Sequence, residues 1–170
     1  MKEGPMTTVV RQRTYDWEDP TPTALAGADQ DGLAVLLAIG AGSLPLPPAM
    51  RTLGIEPVDA GPGRVSFRLD LGEFHLNPFG IVHGGVLGAL MDTAMGCAVH
   101  SVLPAAVGYV TGELNVRFLR PAVLAGGPLL CTGEVVHRGT SAMVASARTL
   151  DADGRLIAIA GATCLVRRPG

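Results

Sequence analysis

Gly84-Gly85-Val86-Leu87-Gly88-Ala89-Leu90-Met91-Asp92-Thr93-Ala94-Met95-Gly96-Cys97-Ala98-Val99-His100-Ser101-Val102-Leu103 runs without a proline until Pro104. Its apolar residues, Val86, Leu87, Leu90, Met91, Ala94, Met95, Ala98 and Val99, are spaced for a helix of about five turns. Small residues cover the rest of the surface, which predicts a helix enclosed on most sides. Four strand-like runs follow: Tyr109 to Leu119, Leu129 to His137, Ala142 to Leu150 and Leu156 to Val166. The first alternates, with Val110, Leu114, Val116 and Phe118 expected on one face and Thr111, Glu113, Asn115 and Arg117 on the other. Arg138-Gly139-Thr140-Ser141 and Asp151-Ala152-Asp153-Gly154 separate the later runs with hairpin chemistry. One long buried helix followed by an antiparallel meander implies an α+β fold whose sheet curls around the helix.

On the N-terminal side, Ile55 to Val58 and Val65 to Leu71 read as two strands joined at Gly61-Pro62-Gly63. Leu44-Pro45-Leu46-Pro47-Pro48 reads as an extended connector, because proline lacks the backbone donor. Leu33 to Ile39, with Asp31 before it and Gly40 after, reads as a short extra helix. Residues 1 to 28 are polar and rich in Pro and Thr, and are expected to be a flexible leader to a single domain over 29–170.

Composition removes several functions. The chain has 170 residues, a net charge of −2 and no basic block, so it carries no electrostatic footprint for nucleic acid. Val86 to Leu103 is interrupted by Asp92 and His100, and Leu33 to Ile39 is far shorter than the ~20 residues a bilayer requires. Met1-Lys2-Glu3-Gly4-Pro5 lacks the apolar core of a signal peptide, so the cytoplasm is the expected compartment. Lys2 is the only lysine, which disfavours Schiff-base chemistry and a G-x-x-x-x-G-K phosphate loop. No serine sits in a G-x-S-x-G elbow. Cys97, Cys131 and Cys164 lie in apolar runs and read as buried, inert thiols. His75, His100 and His137 lack ligand spacing and are assigned to structure or surface, so no metal site is expected.

The chemistry concentrates in His75-Leu76-Asn77-Pro78-Phe79-Gly80-Ile81-Val82-His83-Gly84-Gly85 and in Asp92. Gly84 and Gly85 open the helix and expose N–H groups at its positive end, where an oxyanion or a polarised carbonyl would bind. Asn77 and His83 bring polar groups to the same approach. Asp92 is a carboxylate within an apolar helix and is costly to bury unless paired or solvated. It lies nine residues beyond His83, ~13 Å along the axis, so it cannot serve the reacting atom held at the start of its own helix. Two helices running antiparallel across a two-fold axis would bring Asp92 of one chain to Gly84 of the other and make two equivalent sites. Cooperation between these groups therefore requires a homo-oligomer.

Asn77-x-x-Gly80-x-x-His83-Gly84-Gly85, with Asp92 after it and Thr111-Gly112-Glu113-Leu114-Asn115-Val116-Arg117-Phe118-Leu119-Arg120-Pro121 beyond, resembles the PaaI-type (4-hydroxybenzoyl-CoA thioesterase-like) branch of the hotdog-fold acyl-CoA thioesterases over about residues 44 to 167. The resemblance implies that the Gly84 N–H polarises the thioester carbonyl, with Asn77 and His83 positioning thioester or water. Asp92 of the partner chain would act as general base or as nucleophile, and Thr111 would help hold the water. Gly85 and the turn Arg138, Gly139, Thr140 and Ser141 would bind the substrate, the turn touching the CoA arm. Arg120 or Arg167-Arg168 could also reach CoA phosphates. The resemblance implies a dimer, or a tetramer of two dimers, and a reaction without metal or redox cofactor. A non-catalytic hotdog module that binds an acyl-CoA is the alternative reading. A hotdog hydratase is a third, disfavoured by the position of Asp92 in the His-Gly-Gly helix. The acyl pocket is expected between residues 33–50 and the small residues Gly88, Ala89 and Gly96.

Overall fold

The computed structural model describes residues 9–169. Helices α1 (Thr21–Asp29), α2 (Gly32–Gly40) and α3 (Pro48–Leu53) precede the hairpin of β1 (Ile55–Gly61) and β2 (Arg64–Leu69). The long helix α4 (Gly84–His100) and strands β3 (Gly108–Phe118), β4 (Leu129–Arg138), β5 (Ala142–Leu150) and β6 (Leu156–Arg167) follow. The six strands form one antiparallel sheet in the order β1-β2-β4-β5-β6-β3, with α4 against its inner face. This is the hotdog α+β architecture that the resemblance implied, with the extra N-terminal helix over Gly32–Gly40 in place.

Two expectations about the N-terminal part are corrected. Of the leader over 1–28, residues 1–8 and Lys2 with them lie outside the described residues, but Thr21–Asp29 is helical. Asp19 starts it: Oδ1 accepts from the Thr21 N–H at 2.9 Å and from the Thr21 hydroxyl at 2.6 Å, which also lowers the Asp19 pKa. Tertiary bonds then hold α1, since the Thr23 hydroxyl donates to the Pro45 carbonyl and the Gly27 carbonyl accepts from Ala106 N–H. The proline connector ends one residue early, because Pro48 begins α3, where a missing donor costs nothing.

Helix α4 sits close on the sheet because the inner face beneath it is paved with small residues. Gly133, Ala145, Ala147, Ala158 and Ala162 are all buried, and a Cβ at Gly133 would collide with the backbone carbonyl of Ala94. Leu90, Met91, Ala94, Met95 and Ala98 of α4 are fully buried. Each buried large side chain contributes ~1.5–3 kcal/mol, so this seam is a main source of stability. Pro57 is tolerated because β1 is an edge strand, beside an irregularity in its pairing. Among the described residues no helix is long and apolar enough to cross a membrane.

A buried and a half-buried histidine tie the fold to pH. His75 bridges the segment before α4 to the end of α3: Nδ1 accepts from Gly72 N–H at 3.1 Å and Nε2 meets the Leu53 carbonyl at 2.8 Å. Burial lowers the pKa of His75 and of His100 from the free value of 6.5. Below that value the unfolded chain binds protons that the folded chain refuses, so stability is complete above it and is lost as pH falls further. The lowered carboxylates of Asp19 and Glu73 act only below about pH 5. The Tm is expected to be flat from about pH 8 to pH 7 and several degrees lower at about pH 5. Thermal melts across that range check this, and a constant Tm would show that neither ring is held neutral.

Candidate active site

The loop entering α4 is built around Asn77. Its N–H donates to the Ile81 carbonyl at 2.8 Å, and Oδ1 accepts from Phe79 N–H at 2.9 Å and Ile81 N–H at 3.4 Å. Pro78 occupies the second position of the turn that Gly80 N–H closes onto the Asn77 carbonyl, and Gly80 itself takes φ +74°, a conformation suited to glycine. The acceptor end of Asn77 is thus spent on the loop. Its Nδ2 has no hydrogen-bond partner among the described residues and remains available as a donor.

His83 is the N-cap of α4. Nδ1 accepts from Gly85 N–H at 2.9 Å, which puts the proton of the neutral ring on the exposed Nε2. The histidine and Gly85 therefore serve each other, and Gly85 does not present a free donor. Gly84 N–H does: it has no partner among the described residues and lies at the positive end of a 17-residue helix. The Phe118 ring covers Gly84 so closely that a Cβ there would approach it to 3.1 Å.

Asp92 is half-buried two helical turns further on. Its Oδ1 accepts from the Thr111 hydroxyl at 2.8 Å, and Oδ2 has no partner among the described residues. Thr111 reaches it because the alternation read from the sequence breaks. Pairing of β3 with β6 shifts between Thr111 and Glu113, so Gly112 is an extra residue and the parity reverses there. Thr111 stands opposite Cys164, and Leu114, Val116 and Phe118 stand opposite Ala162, Ala160 and Ala158. Cross-strand partners share a face, so Thr111 faces α4 together with Leu114, Val116 and Phe118, and Val110 does not.

Within one chain the expected site residues fall into three places. Asn77, His83, Gly84 and Gly85 lie at the start of α4, and Asp92 with Thr111 lies eight residues from Gly84, ~12 Å along the axis. The turn Arg138 to Ser141 lies beyond the other end of α4. There Arg138 Nη2 donates to the Val102 carbonyl at 2.9 Å, and Arg168 Nη1 donates to the Thr140 carbonyl at 2.9 Å. Cys97, Cys131 and Cys164 are free, and burial pushes the Cys97 thiol up to about 12 and the Cys131 thiol up to about 11, leaving both protonated. No group of three His, Cys, Asp or Glu side chains among the described residues is placed to hold a metal ion.

A cavity of about 620 Å³ lies at the C-terminal half of α4. Val35, Leu36, Ile39, Pro47 and Met50 line it, as expected of the 33–50 segment, but α1 contributes Ala24 and Gly27, and Tyr109 and His100 face it. Gly88, Ala89 and Gly96 are not among its walls. The signal for Tyr109 was its place two residues before Thr111, on the same strand face.

Residues 79–158 match the family model described as the thioesterase superfamily. The chain is 34% identical over 110 residues to acyl-coenzyme A thioesterase 13 of Homo sapiens, covering 64% of this chain and 77% of that protein. It is 30% identical over 118 residues to the 1,4-dihydroxy-2-naphthoyl-CoA hydrolase of Listeria monocytogenes, covering 69% and 94%. The solved structure of the E. coli PaaI protein from the phenylacetic acid degradation operon superposes with a TM-score of 0.64 at 25% identity, covering 72% of this chain and 84% of that one. With its six-stranded sheet and enclosed α4, the chain belongs to the thioesterase superfamily, in its PaaI-like hotdog branch, whose chemistry is the hydrolysis of thioesters.

Proposed function

We propose that the protein hydrolyses an acyl-CoA thioester to the free acid and CoA, at two equivalent sites in a homodimer that can pair further into a tetramer. The observation that carries this reading is the hydrogen bond from Thr111 to Asp92, which aims a carboxylate out of an apolar helix ~12 Å from the free Gly84 N–H. Two such helices, antiparallel across a two-fold axis, bring Asp92 of one copy to Gly84 of the other. The edge of β3 supports a copy-to-copy contact, since it is eleven residues long with Leu114 and Phe118 exposed beside it.

In the resulting site the thioester carbonyl oxygen accepts from Gly84 N–H, where the helix terminus stabilises the charge that develops on it. Asn77 Nδ2 and His83 Nε2 are the further donors on that side. Thr111 occupies Oδ1 of Asp92, so Oδ2 either takes a proton from the attacking water or itself attacks the carbonyl carbon. On either route the C–S bond breaks and the CoA sulfur leaves and takes up a proton; on the second, water then cleaves the acyl–Asp92 anhydride, releasing the free acid and restoring the carboxylate. These steps call on no metal or redox cofactor. The turn Arg138 to Ser141 and Gly85 are assigned to the CoA arm and thioester on the family resemblance.

The test is release of free thiol from short, medium, long and aromatic acyl-CoAs. Turnover of at least one is expected. No release from any, together with tight acyl-CoA binding in calorimetry, would replace the enzyme by the non-catalytic acyl-binding module.

A further inference from the structure

The 620 Å³ cavity lies between α1, α2 and the C-terminal half of α4, and α1 and α2 lie outside the segment that matches the family, residues 79–158. Its size is that of a small-molecule site. Most of its walls are apolar, among them Val35, Leu36, Ile39 and Phe67. Among the described residues no lysine or arginine lines it, and its one charged wall residue is the exposed Asp59. An acyl group ending in a carboxylate would meet only repulsion there.

Two polar groups break the apolar lining. Tyr109 Oη and His100 Nε2 make no hydrogen bond within the described chain, while His100 Nδ1, also without a partner, is enclosed by protein. Their rings lie 6.1 Å apart. Burial lowers the pKa of His100 and raises that of Tyr109, so both are uncharged near neutral pH. An apolar pocket with a few convergent polar groups is the usual form of a specific ligand site. The pair also stands next to the reacting groups. Gly96, against which the Tyr109 hydroxyl rests, is one turn or ~6 Å past Asp92 along α4, and Tyr109 shares the α4-facing side of β3 with Thr111.

Resting on the hydrolysis reading, we propose that this chamber receives the acyl group of the substrate, a bulky apolar chain carrying one uncharged hydrogen-bonding substituent that Tyr109 Oη and His100 hold. The N-terminal helices then set acyl selectivity, with Gly27 and Ala24 of α1 and Leu36 and Ile39 of α2 as its walls.

The experiment measures kcat/KM by thiol release for acetyl-CoA, decanoyl-CoA and the 5-hydroxy derivative of decanoyl-CoA, using wild type, Gly27→Leu and Tyr109→Phe. Gly27 has open space where a Cβ would go, and leucine is the better helix former, so a Tm at or above wild type verifies folding. Wild type is expected to prefer decanoyl to acetyl, and Gly27→Leu to cut that ratio roughly tenfold, chiefly through KM. Tyr109→Phe keeps the ring and is expected to lower the ratio of hydroxylated to plain chain roughly five- to tenfold, as the loss of one hydrogen bond does. Wild-type turnover with both ratios unchanged in the variants would overturn the chamber while leaving hydrolysis intact. No turnover of any thioester by wild type would refute hydrolysis. Calorimetry with decanoyl-CoA then decides the chamber: an affinity equal in wild type and Gly27→Leu overturns it, and a weakened one upholds it.

Discussion

Asp92→Asn is expected to lower kcat on the acyl-CoA turned over best by about 10²- to 10⁴-fold, the range by which a positioned general base or nucleophile acts. Asparagine keeps the shape and an oxygen for the Thr111 hydroxyl bond, so the fold and the oligomer should survive, which sedimentation and a melt check. Normal rates in this variant would remove Asp92 from the mechanism.

The shared site makes a sharper form of the same prediction. Gly84 is the first residue of α4, where the backbone suits proline and the exposed Phe118 ring has to turn aside for it, so Gly84→Pro should lose the donor and be inactive while a melt verifies its fold. Mixed dimers of Asp92→Asn and Gly84→Pro chains would hold one site with both substitutions and one with neither. Random re-association of equal amounts should therefore restore roughly a quarter of wild-type activity, half the dimers being mixed and each having one native site of two. No recovery on mixing, with exchange verified, would place Asp92 and Gly84 in separate roles.

The largest expected loss of stability is that of Gly133→Ala. The added Cβ meets the Ala94 carbonyl oxygen and carbon and the Met95 nitrogen, which are backbone atoms of α4 that no rotamer change can move. The helix must lift from β4, and every small residue of the seam then loses its packing. Overpacking of this kind costs up to ~3 kcal/mol or more, equivalent to a Tm lower by roughly 6–12 °C for a domain of this size. Gly27→Ala is the control, because open space receives its Cβ and alanine is the stronger helix former, so its Tm should rise slightly. A Gly133→Ala melt within a degree or two of wild type would mean that the helix does not rest on that strand.

Much of this was legible from residue order. The apolar spacing of Val86 to Val99 marked α4, proline and glycine marked its surroundings, and the alternations of the later runs marked their strands, because backbone preference and burial of one face are local properties. Gly84 at a helix start and Asp92 inside the same helix were visible for the same reason, as was the distance that separates them. Less visible was α1, whose sequence has no apolar stripe; bonds to Pro45 and Ala106, distant in the chain, hold it.

The sequence by itself determined the elements, the donor at the start of α4 and the carboxylate within it. Only the tertiary structure decided which groups meet. Thr111 was expected on the face away from the apolar residues of β3, and the Gly112 bulge against β6 turned it onto Asp92. The chamber of Tyr109 and His100 exists because α1 and α2 fold over α4. A period read along the chain carries no information about where a pairing partner will force an extra residue, or about which distant segment will close over a helix, and those two events set the side-chain geometry of this site.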